Sequence, residues 1–146
     1  MLESYIGRHL TDVRGKLVKE LNEEIAYRIG RATVQSLKAK TVALGNDARQ
    51  TSPVLAQAVA RGVCDAGAVV LDTGLAGTEE IYFSVSAFNF DIGIEVTASH
   101  NPIDYNGMKI VKRGSQTISD QEFSNIKSLA EKKNINYPKC VGSLIN

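Results

Sequence analysis

The chain has 146 residues, enough for one domain with its own core. Its 17 basic and 16 acidic side chains nearly cancel, so it lacks the concentrated basic footprint that nucleic-acid binding leaves. No apolar run approaches the roughly 18 residues of a membrane span, and residues 1–15 lack the apolar block of a secretory signal.

A cytoplasmic protein that binds neither nucleic acid nor membrane is therefore expected. Its two cysteines, Cys64 and Cys140, stand far apart, which fits neither a zinc site nor a disulfide framework. Cys64 falls within an apolar helical pattern and is expected to be a buried thiol, while Cys140 has no assignable role.

Leu21, Ile25, Ile29 and Leu37, flanked by Ala26 and Val34, recur at helical spacing and predict the first helix. Thr41–Gly45 follows as a short buried strand. Ser52 before Pro53 reads as an N-cap with proline at the first helical position. Val54, Leu55, Ala58, Val59, Gly62 and Val63 continue that helix face, and Gly67 is placed to end it. Ala68–Asp72 is the second strand, so strand, helix and strand form a parallel βαβ unit.

A glycine-rich turn leads to Thr78, Glu79 and Glu80, a hydroxyl cap and two acids at the positive end of a third helix, which should stop near Asn89. Ile92–Thr97 and Met108–Lys112 are the third and fourth strands. Only ten residues join them, too few for an easy helical crossover, so an antiparallel return is expected. Ser119 and Glu122 form a capping box, with Ile118 and Phe123 as a staple. Phe123, Ile126 and Leu129 give the last helix its buried face. Residues 134–146 show no period and read as a tail or linker after a domain spanning 1–133. The alternation as a whole predicts an α/β fold, a three-layer α/β/α sandwich around a mixed, mostly parallel sheet of about four strands.

Glu95-Val96-Thr97-Ala98-Ser99-His100-Asn101-Pro102 leaves the carboxyl end of a predicted strand, the edge of an open α/β sheet where ligands bind. A serine hydroxyl near an imidazole can act as a nucleophile or phosphate acceptor once a base takes its proton. Adjacent residues point apart, so Ser99 and His100 read as two walls of one site. Gly-x-Ser-x-Gly does not occur, which disfavours an α/β-hydrolase.

The run Thr97–Pro102, then Asp104-Tyr105-Asn106-Gly107 and Lys109, resembles the active-serine segment of the α-D-phosphohexomutases. Asp12-Val13-Arg14-Gly15 and Gly45-Asn46-Asp47-Ala48-Arg49 resemble two further loops of that family. Gly77–Phe83 resembles its bacterial phosphomannomutase branch. The matches run in order from Asp12 to about Glu131 and are similar to the N-terminal domain of such enzymes.

The resemblance implies an interconversion of hexose 1-phosphate and hexose 6-phosphate, with mannose the expected sugar. A phosphosugar would be the substrate, and hexose 1,6-bisphosphate the activator. Ser99 would carry the phosphoryl group, and its phosphate would be one ligand of Mg2+. His100 would move a proton at the sugar hydroxyls or stand behind the site as a polar support. Lys109 would supply a cation beside the phosphoserine. Arg14 would add a second cation, hold the loop, or simply pair with Asp12. Asn101 would fix the serine loop by hydrogen bonds. Arg49 would pair with Asp47 at the surface or serve the site. Thr11 stands where the branch places an aromatic residue. Only seven aspartates occur, with no Asp-Gly-Asp-Gly-Asp run for the rest of a magnesium loop. The chain alone is therefore expected to be inactive. The alternative is a non-catalytic domain that binds phosphate weakly or self-associates through the face that would dock further domains.

Overall fold

The computed structural model describes residues 12–17, 21–99, 102–132 and 143–145. Strand β1 (Asp12–Lys16) precedes helix α1 (Glu23–Leu37), strand β2 (Thr41–Asn46) and helix α2 (Ser52–Asp65). Strand β3 (Val69–Leu75), helix α3 (Thr78–Ala87), strand β4 (Ile92–Val96) and strand β5 (Tyr105–Lys112) follow. The short strand β6 (Gln116–Thr117), helix α4 (Asp120–Glu131) and the short strand β7 (Leu144–Ile145) complete the order.

The sheet runs β1-β5-β4-β2-β3-β7, with β6 paired to β5 off this path. It is mixed: β4, β2, β3 and β7 run parallel, while β5 is antiparallel to β4, β1 and β6. The expected antiparallel return from β4 to β5 is present. Six strands lie along the path instead of about four. Asp12–Lys16 is mostly polar and Leu144–Ile145 has only two residues, so neither carries an apolar strand signal, and each gains its ladder from a longer neighbour.

Side-chain alternation divides the sheet into two faces. Val42, Leu44, Val70, Ile92, Ile94, Val96, Met108 and Ile110 join the main core beneath α1, α2 and α4. Ala43 and Val111 face the other way and pack with Val85 of α3. Helices therefore cover both faces, giving the three expected layers. No helix among the described residues is long and apolar enough to cross a membrane.

Local chemistry explains the helix ends. Asn22 Oδ1 accepts from the Ile25 N–H at 3.0 Å and caps α1. The Ser119–Glu122 capping box opens α4 as expected, with Ile118 and Phe123 both buried. Two other caps differ. Thr51, not Ser52, is the N-cap of α2, because the Ser52 hydroxyl is taken by Asp47. Gly77, not Thr78, caps α3, with Glu80 reaching back to its N–H.

The α1–α2 packing rests on small residues. A Cβ on Gly62 would stand 2.1 Å from the Tyr27 carbonyl oxygen, and one on Gly30 2.6 Å from that of Val59. Neither helix position tolerates a side chain. Val54 is exposed, outside the expected buried face of α2, and Cys64 is half-buried instead of buried, with desolvation pushing its thiol pKa up. Cys140 and the expected boundary at 133/134 lie outside the described residues.

Candidate active site

Strand β2 has β3 on one side and β4 on the other, reached through helices on opposite faces of the sheet. The carboxyl ends of β2 and β4 thus flank a topological switch point, where open α/β sheets bind ligands. The loop after β2 carries Asp47 and Arg49, and the loop after β4 carries Ser99. The backbone ties these ends together: Asp47 N–H donates to the Val96 carbonyl at 3.0 Å, and Thr97 N–H to that of Gly107 at 2.9 Å.

Ser99 is exposed just beyond β4, in the loop where the sequence places it. Its φ is +56°, a left-handed conformation that non-glycine residues rarely adopt. Its N–H donates to Thr97 Oγ1 at 3.0 Å. Its carbonyl accepts from Arg49 Nη2 at 3.2 Å. The other terminal nitrogen of Arg49 donates to the carbonyls of Pro102 at 2.8 Å and Tyr105 at 3.2 Å.

Arg49 is itself held from behind. Asp47 Oδ2 lies 3.5 Å from Arg49 Nε, and Asp47 Oδ1 accepts from the Arg49 N–H at 3.0 Å and from the Ser52 hydroxyl at 2.5 Å. Fully buried Asn106 in β5 donates to Thr51 Oγ1 and Ser52 Oγ, both at 2.9 Å. Its Oδ1 accepts from the Gly107 N–H at 2.9 Å.

The remaining expected residues are placed less completely. Lys109 is half-buried in β5, directly opposite Glu95 in β4 and Asp12 in β1. Among the described residues no hydrogen bond or ion pair joins it to Ser99. The backbone of Arg14 lies in β1 opposite Gly107, but its side chain is outside the described part. His100 and Asn101 lie outside the described residues.

The sequence pattern assigns no role to Thr97, Asn106 or Glu95. The usable signal was positional: Asp47–Ser52 and Thr97–Asn106 leave or enter strands that become neighbours, and their polar types suit turns. Glu95 is 1% exposed, and neither carboxylate oxygen has a hydrogen-bond partner among the described residues. Desolvation, with the nearby charges of Asp47 and Glu80, pushes its pKa up to about 8.

Ser99, an exposed residue, is the one magnesium-site residue that the family resemblance implies for this chain. Among the described residues there is no group of three or more His, Cys, Asp or Glu that could hold a metal. These residues do not make a magnesium site by themselves.

Fold and loop geometry together define an open α/β domain that presents a strained serine at the strand-end edge where such sheets generally bind ligands. The chain belongs to the phosphoglucomutase/phosphomannomutase family, as the family's N-terminal α/β/α domain I, whose model matches residues 8–136. It is 57% identical over 121 residues to a phosphomannomutase of Escherichia coli, covering 82% of this chain and 27% of that protein. A phosphomannomutase of Klebsiella pneumoniae is 55% identical over 121 residues, 82% of this chain and 77% of that protein. The solved structure of a phosphoglucomutase/phosphomannomutase family protein from Burkholderia thailandensis matches with a TM-score of 0.82 at 32% identity, over 92% of this chain and 31% of that one. The chain thus spans between a quarter and a third of the length of the Escherichia coli and Burkholderia thailandensis proteins.

Proposed function

We propose that this chain is the phosphoserine-carrying domain of a phosphohexomutase that interconverts hexose 1-phosphate and hexose 6-phosphate, with mannose the favoured sugar, in the cytoplasm. The observation that carries the reading is Ser99, exposed and left-handed at the carboxyl end of β4, on the switch point of the sheet.

In the forward half-reaction the phosphoryl group passes from Ser99 Oγ to a sugar hydroxyl. The Oγ–P bond breaks, a sugar O–P bond forms, and the hydroxyl proton ends on Ser99 through His100. The bisphosphorylated sugar then turns over, and Ser99 Oγ takes the other phosphoryl group while its proton returns to the sugar. Lys109 and Arg14 supply positive charge for the transfer, and Asn101 fixes the loop. Magnesium, when bound, offsets charge at the transferring group. The ligands that complete its site and the surface that holds the sugar lie outside this chain, so the chain alone turns over no substrate.

Intact mass after incubation with a hexose 1,6-bisphosphate tests the carrier role. A gain of one phosphoryl group in the natural chain and none in Ser99→Ala is expected. An equal gain in both, or none in either, removes Ser99 as the carrier.

A second reading is a non-catalytic domain that binds phosphate weakly or self-associates. It is favoured by the exposure of Phe83 (67%), Phe88 (66%) and Leu75 (71%). Sedimentation distinguishes it: a dimer lost in Phe83→Ser supports self-association, and a monomer at all concentrations excludes it.

A further inference from the structure

We propose that Arg49 is a positioning residue for Ser99, a guanidinium clamp that holds the serine loop in its strained conformation. The inference rests on the reading of Ser99 as the phosphoryl carrier and adds the device that presents it.

A left-handed non-glycine residue is strained and persists only where its surroundings over-determine it. Ser99 carries that conformation on an exposed loop, where packing contributes little. Two polar contacts bracket its backbone: Thr97 Oγ1 holds the N–H, and Arg49 Nη2 holds the carbonyl. Arg49 also reaches the far side of the loop, through the Pro102 and Tyr105 carbonyls. One planar fork therefore fixes three carbonyls spread over residues 99–105.

Only arginine suits this geometry. Its donors diverge in a rigid plane, whereas a lysine ammonium is a single point charge on a flexible stem. Asp47 orients the fork through Nε, and Ser52 in turn holds Asp47. Because Ser52 belongs to α2 and also bonds Asn106 of β5, the clamp is anchored in two regular elements. The surface pairing with Asp47 expected from the sequence is thus only the rear half of the arrangement.

The test compares the natural chain with Arg49→Ala and Arg49→Lys by NMR. In the natural chain, backbone order parameters for described residues from Thr97 to Asn106 should stand near 0.85, and in both variants fall below about 0.6. Those of α1 and α4 should not change. Free guanidinium added to Arg49→Ala should restore part of the loop order, and added ammonium should not. Arg49→Lys keeps the charge, so an unaltered phosphate affinity at residues 97–109 in that variant would reduce Arg49 to a mere cation. A loss of about tenfold is expected instead. Should Arg49→Ala fail to fold, Arg49→Lys carries both readouts. Unchanged loop order in the variants overturns the clamp. A natural chain that shows an ordered loop but never accepts a phosphoryl group on Ser99 overturns the carrier reading and leaves the clamp standing.

Discussion

Oε2 of Glu95 lies 2.7 Å from the point where a Cβ on Gly45 would stand, so the carboxyl of one parallel strand occupies the space its neighbour leaves empty. The pocket is closed further by Ile81 and Thr73, 2.8 and 2.9 Å from that same point. Such a site excludes water and favours the neutral acid.

The stability of the fold should therefore fall as pH rises. The folded-state pKa of Glu95, about 8, lies above the ordinary value of 4.5, so between them the folded chain holds a proton that the unfolded chain has lost. This contribution is fully present below 4.5, declines as pH rises towards 8 and is gone above it. The slope from this group is at most about 1.4 kcal/mol per pH unit. Thermal unfolding of Glu95→Gln from pH 5 to pH 9 should trace a flatter curve than the natural chain. Parallel curves would show that Glu95 is ionised in the fold.

Gly62→Ala should lower stability by roughly 3 kcal/mol, at the upper end of overpacking costs. The added methyl meets backbone, the Tyr27 carbonyl, which cannot step aside as a flexible side chain does. Urea titration reads the loss as a lower midpoint with an unchanged slope. A cost no larger than that of an exposed helix substitution would mean that α1 and α2 slide apart freely.

Removing the Asn106 amide should cost about 1–3 kcal/mol, because the buried Gly107 N–H then loses its acceptor. Asn106→Ala should also speed amide exchange at Thr51 and Ser52, whose hydroxyls the amide holds. Exchange unchanged at those two positions would show that the loop after β2 is held by Asp47 alone.

No turnover of mannose 1-phosphate or glucose 1-phosphate should be measurable with the 146-residue chain. Phosphoryl transfer depends chiefly on positioning and charge stabilisation, and this chain carries one part of each. A coupled assay of the natural chain and Ser99→Ala should give equal background rates. Ser99-dependent turnover would show that the domain suffices.

Helices and the longer strands were legible in the sequence because their signals are local. Ile25 and Ile29 repeat with the helical period, Ser119 and Glu122 sit at capping distance, and Ile92–Val96 is a short apolar run. The loop bearing Ser99 was legible too, since it follows a strand and carries a motif. The cap of α2 stands one residue before the expected Ser52, whose hydroxyl bonds elsewhere, and that of α3 stands one residue before Thr78, at Gly77, where Glu80 reaches back to the N–H. Ser52 bonds Asp47, five residues before it, and Asn106, which becomes its neighbour only after the chain folds.

The sequence by itself determined the α/β class, the family resemblance and the serine at the strand end, all carried by residues close together along the chain. Tertiary structure alone decided that β2 lies between β3 and β4, that Arg49 spans the serine loop, and that Glu95 is buried without a hydrogen-bond partner among the described residues. The Arg49 contacts join residues 50 to 56 positions apart. No local pattern encodes such a separation; the pairing of β2 with β4 closes it.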